Sequence, residues 1–168
     1  MGESPEPPTM PLPTPIATVQ EFYAHALAIE REAEERYTEF TEWFDQRGEH
    51  VLAGLCRNLA ALEGEHYRDL VEGCRHMELP PVSSVEYKWL GNDAPELPER
   101  EFLERVATAR DLLEIALRAE VRARDYFVWI ARSALSREVR ELAAVMAAEE
   151  REHVRWVRDA LEYHSTTA

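Results

Sequence analysis

Cysteine is scarce in this sequence: Cys56 and Cys74 are the only two in 168 residues. They form no C-x-x-C pair, which excludes a rubredoxin-type or zinc-ribbon module from the chain. Free thiols of this kind read as small buried apolar residues. Basic side chains are outnumbered, with 19 Lys and Arg against 33 Asp and Glu, and a formal charge of −14 repels nucleic acid and anionic membranes alike. Neither partner is expected. No run of about 18 apolar residues is present, so no membrane-spanning helix is expected. The N-terminus also lacks the basic-then-apolar pattern of an export signal, which leaves the cytoplasm as the expected location. A Gly-rich phosphate loop, a G-x-S-x-G elbow and an H-E-x-x-H string are all missing.

Proline is absent from two long blocks, and that absence maps the chain. Six of the ten prolines fall in residues 1–15, and the others are Pro80, Pro81, Pro95 and Pro98. Residues 1–15 therefore read as a flexible Pro-rich arm and 165–168 as a short tail, with a single domain over 16–164. Residues 16–79 and 99–168 are rich in Ala, Leu, Glu and Arg and carry apolar residues three and four apart, the pattern of amphipathic helices. Each block is too long for one helix of a small domain, so each is expected to fold back on itself. Gly48 marks the first turn and Ser136 the cap after the second. Thr18 and Glu21 have capping-box spacing, and Pro98 suits the first turn of the third helix. The predicted fold is all-α, an antiparallel four-helix bundle made of two helical hairpins joined by a long crossover over residues 77–100.

Acidic groups interrupt every apolar stripe. The first helix presents Tyr23, Leu27, Glu30, Tyr37 and Phe44; the second Leu52, Leu59, Glu63, His66 and Leu70. The third presents Val106, Leu113, Leu117, Glu120 and Phe127; the fourth Val139, Met146, Glu150, His153 and Val157. A carboxylate on such a stripe is costly to bury unless it is paired, protonated or bound to a cation. Glu63 with His66, and Glu150 with His153, are both Glu-x-x-His, a spacing that lets both side chains reach one ion.

Register says more than the motif. Glu30 and Glu63 lie 18 and 15 residues from Gly48, which puts both roughly 22 to 27 Å from the first turn. Glu120 and Glu150 average to position 135, inside the second turn, so they too come side by side. Glu30 maps to Glu120 at an offset of 90, and the Glu63–His66 pair maps to Glu150–His153 at 87, as an internal duplication would. Two such hairpins about a pseudo-twofold axis bring four Glu and two His together, the donor set of di-iron and di-manganese bundles. Four carboxylates offset two divalent ions; without metal they are a buried like-charge cluster. Iron, manganese and zinc all accept such ligands.

The strings "AIEREAEERY", "LEGEHYRDL", "RAEVRARDYF" and "AAEEREHVRW" make residues 18–164 resemble the rubrerythrins of the ferritin-like superfamily. The resemblance implies a diiron centre in which Glu30 and Glu120 ligate terminally or bridge, Glu63 and Glu150 bridge, and His66 and His153 cap. It also implies a non-haem diiron oxidoreductase that reduces hydrogen peroxide or oxidises ferrous iron with oxygen. Tyr37 and Tyr126 are candidates to hydrogen-bond a ligand carboxylate. Rubrerythrins carry a further carboxylate three residues after the third-helix Glu; Ala123 stands there in this chain, so ligand switching between redox states is not expected. Without a rubredoxin domain, any peroxidase cycle needs a separate electron donor. A homodimer is the expected assembly. Two other readings stay open: a ferritin-like protein that stores or carries iron, and a metal-free interaction bundle. Glu32, Glu34, Glu35, Glu65, Glu149 and Glu152 are expected on solvated faces. His25, His50, His76 and His164 are expected at the surface or at helix ends.

Overall fold

Thr18 opens the first helix as its sequence predicts, accepting a hydrogen bond from the Glu21 backbone at 3.1 Å. The Glu21 carboxylate reaches back to the Ala17 N–H at 2.9 Å. The computed structural model describes residues 16–82 and 106–166. Helix α1 runs over Val19–Asp45, α2 over His50–Cys74, α3 over Ala109–Ser133 and α4 over Arg137–Thr166. No strand occurs among the described residues. The arm at 1–15, most of the crossover and the last two residues lie outside them, and residues 165 and 166 of the expected tail are helical.

Gly48 takes the left-handed conformation, φ +75°, and turns α1 back toward α2. Nothing lies within 4 Å of a Cβ built there, so the backbone angle alone favours glycine. At the other turn Ser136 Oγ accepts from the Val139 N–H at 3.4 Å, and Arg140 clasps the Ala134 and Leu135 carbonyls at 2.9 Å each. The third helix departs from expectation. Pro98 lies outside the described residues, and α3 starts at Ala109, where Thr108 and Asp111 make a complete capping box. Asp111 Oδ2 accepts from the Thr108 N–H at 2.9 Å, while Thr108 Oγ1 accepts from the Asp111 N–H at 3.2 Å. Val106 thus precedes the helix, yet still packs against the core.

Backbone contact is dense within the hairpins α1–α2 and α3–α4 and slight between them. The two hairpins lie head to tail. One apolar cluster joins Phe22 and Ile29 of α1, Leu70 of α2, Phe127 and Ile130 of α3, and Val139 of α4. A second joins Phe40 and Phe44 of α1, Leu59 of α2, Leu112 and Leu113 of α3, and Val157 of α4. The Gly48 turn therefore sits at one end of the bundle and the Ser136 turn at the other, as the duplicated register requires. Between the two clusters lies a polar layer.

Candidate metal centre

That layer consists of the six residues read from the register. Glu30, Glu63, Glu120 and Glu150 are each 0% exposed. His153 is buried, and the side chain of His66 is 15% exposed. The helical spacing of three within each Glu-x-x-His pair sets both side chains on the inner face of α2 or α4, while Glu30 and Glu120 arrive from α1 and α3 at the same depth. His66 Nδ1 stands 3.7 Å from Glu30 Oε2 and 3.9 Å from Glu150 Oε1. His153 Nδ1 stands 3.2 Å from Glu120 Oε2, 3.6 Å from Glu150 Oε2 and 3.7 Å from Glu63 Oε1. The two imidazoles stack at 4.5 Å with planes 10° apart, so α2 and α4 meet here through their histidines.

Three trios bring their ligand atoms within 4.8 Å of one another: Glu30, His66 and Glu150; Glu120, Glu150 and His153; Glu63, His66 and His153. Glu150, His66 and His153 each belong to two of them. Neither oxygen of Glu30 accepts a hydrogen bond, nor does His66 Nδ1 make one, although both are buried atoms. Buried polar atoms in folded proteins are nearly always satisfied, and buried charges are paired or bound to metal. These buried Glu and His groups could hold a metal ion, and the donor set of carboxylates and imidazoles fits one well.

Neighbouring groups respond to this field. Burial lowers the affinity of His66 for a proton, but the nearby carboxylate of Glu30, with the charges of Glu149 and Glu120 behind it, more than reverses this and holds its pKa above the usual value. Tyr37 is fully buried on α1, and its hydroxyl donates to Glu120 Oε1 at 3.4 Å. Burial, then the charges of Glu120 and Glu63, hold that phenol well above its usual range, so it is a donor at any physiological pH. Tyr126 is buried too, but packs against Phe127 and Trp129. Ala123 is 0% exposed, one turn beyond Glu120.

Two expectations need correction. Glu32, Glu34 and Glu149 are half-buried rather than solvated, whereas Glu35, Glu65 and Glu152 are exposed. Glu34 packs over Gly64: a Cβ on that glycine would come within 2.6 Å of Glu34 Oε1. His25 is buried, with its Nδ1 donating to the Glu21 carbonyl at 2.8 Å, because α1 is covered on more than its inner stripe at that end. His50 and His76 are exposed as expected. Asp69, an exposed acid whose charge acts on Glu149, went unremarked in the sequence, although its place three residues after His66 puts it on the same face of α2.

No protein-family model matches the chain, and no protein of curated function does. Among solved structures it is similar to "COG1633", an uncharacterised conserved protein from Magnetospirillum magnetotacticum MS-1. Identity is 32% over 87% of this chain and 95% of that one, with a TM-score of 0.68. The chain belongs to the COG1633 family. In this COG1633 protein the polar layer accordingly interrupts the core at the level where two hairpins of like register cross.

Proposed function

We propose that the chain is a rubrerythrin-like diiron oxidoreductase that couples oxidation of ferrous iron to reduction of peroxide or oxygen. The observation that carries this reading is the convergence of four fully buried Glu and two His between two apolar clusters. In it, Glu30 with His66 would hold one ion and Glu120 with His153 the other, while Glu63 and Glu150 would be held in common. Membership of Glu150 in a trio with each of Glu30 and Glu120 supports its own sharing. Iron is the metal proposed, with manganese or zinc as substitutes. When bound, two ferrous ions would supply one electron each, enough to reduce one hydrogen peroxide with two protons to two waters, and would act as Lewis acids toward the oxidant.

The protein's own residues fix the setting. The two apolar clusters exclude bulk water from either end of the layer, which strengthens every electrostatic interaction within it. The Tyr37 hydroxyl holds one oxygen of Glu120 and so restricts that carboxylate's rotation. Ala123 offers no alternative donor, which keeps Glu120 as the one carboxylate of α3 in the layer. Electrons must return from a separate donor, since the chain has no C-x-x-C module.

The test is to load the protein with ferrous iron under anaerobic conditions and mix it with hydrogen peroxide or oxygen in a stopped-flow spectrometer. Oxidation faster than that of the same iron free in buffer is expected, and slower in Tyr37→Phe. Bound iron that oxidises no faster than free iron contradicts the oxidoreductase reading.

A further inference from the structure

This inference rests on the metal reading of the centre and concerns how the ions arrive. Of the six polar side chains, His66 keeps the most solvent exposure, at 15% against 7% for His153 and none for the four carboxylates. Two further acids stand at that edge. Asp69 is exposed and follows His66 by one turn of α2. Glu149 is half-buried on α4, one residue before Glu150, and it feels the charges of His66, Glu30, Asp69 and His153. Behind His66, at 3.7 Å from its Nδ1, lies the Glu30 carboxylate, fully buried and accepting no hydrogen bond on either oxygen. An exposed acid, a half-buried acid and a fully buried acid thus descend toward one histidine.

We infer that divalent cations enter the centre between α2 and α4 past His66, drawn in by Glu149 and Asp69 as transit carboxylates. Neither residue belongs to a trio whose donor atoms lie within 4.8 Å of one another. They are placed to attract an ion and pass it on rather than to keep it. Carboxylates beside a low-dielectric interior raise the local cation concentration and with it the rate of entry. The same negative field disfavours anions and does not act on neutral molecules, a selectivity suited to a metal cation and to peroxide or oxygen.

The experiment uses cobalt(II) as the probe, followed by its visible absorption when mixed with the metal-free full-length protein. At low ionic strength, uptake by the Asp69→Asn/Glu149→Gln variant is expected to be about tenfold slower than by the unaltered protein, with the same number of ions bound at the end. Added salt should slow the unaltered protein and leave the variant nearly unchanged. Glu39→Gln/Glu141→Gln removes two charges from exposed helical positions and serves as the control, with unaltered uptake expected. Uptake by the Asp69/Glu149 variant at the unaltered rate overturns the entry route. A smaller number of ions at its endpoint also overturns it, by making the two residues ligands. If the unaltered protein binds no cobalt at all, the metal reading of the centre itself fails.

Discussion

Neutralising Glu30 separates a metal-dependent bundle from an ordinary charged one. Glu30 and Glu150 present oxygens within 4.8 Å of each other across the His66 trio, and both side chains are fully buried. At an effective dielectric of about 20, two unit charges at that distance repel by about 3.5 kcal/mol. In the metal-free protein, at a pH alkaline enough to leave His66 neutral so that no His66–Glu30 attraction is lost, Glu30→Gln removes this repulsion, while the buried amide costs about 1–3 kcal/mol where it lacks partners. Metal-free Glu30→Gln is therefore expected to be as stable as the unaltered chain or more so, by up to about 2.5 kcal/mol. At about 2–4 °C per kcal/mol, this corresponds to a rise in Tm of up to roughly 10 °C. Ion at 100 times its Kd stabilises the unaltered protein by about 2.7 kcal/mol per site. In the variant most of that gain is lost at the site Glu30 serves. Differential scanning calorimetry with chelator, and then with anaerobic ferrous iron, reads both quantities. A metal-free variant clearly less stable than the metal-free parent, together with an unchanged metal-induced shift, would refute the reasoning.

Other outcomes follow from packing and capping. Gly54→Ala should stabilise α2 by up to about 1 kcal/mol, because nothing lies within 4 Å of the new methyl. Gly73→Ala should destabilise, since its Cβ would meet the Tyr23 hydroxyl at 2.8 Å; urea unfolding midpoints check both signs. Thr108→Ala should cost about 1 kcal/mol by removing the cap of α3, read in the same assay. Burial pushes the Cys56 thiol up to about 12 from 9.0, and Tyr37 is the titratable group that faces it. The unfolded chain therefore loses that proton first as pH rises. Stability present below pH 9 declines above it, by about 2 kcal/mol at pH 10.5. The urea midpoint should fall between pH 8 and 10.5 in the parent more than in Cys56→Ala, and equal declines would contradict the shift.

The hairpins and their register were legible because each turn carries a local signal and each buried Glu sits at a countable distance from it. The same count found all six residues of the polar layer, since the rise of a helix is the same in every sequence. The start of α3 was not legible in this way. Pro98 and the Thr108–Asp111 pair are both valid helix-start signals, and tertiary packing decides between them. The half-buried state of Glu149 and the place of Asp69 at its side depend on how one hairpin lies across the other, which no spacing within a hairpin encodes. His25 looks exposed in sequence because no Glu precedes it by three; its burial depends on what covers α1.

The central claim is that the six residues of the polar layer hold a pair of ions. Elemental analysis of the full-length protein reconstituted anaerobically with ferrous iron and freed of excess metal measures this most directly. Two irons per chain are expected, falling to one or none in Glu63→Gln/Glu150→Gln, which alters both shared carboxylates. Iron well below one per chain in the unaltered protein, or an undiminished count in that variant, would place the metal elsewhere or nowhere.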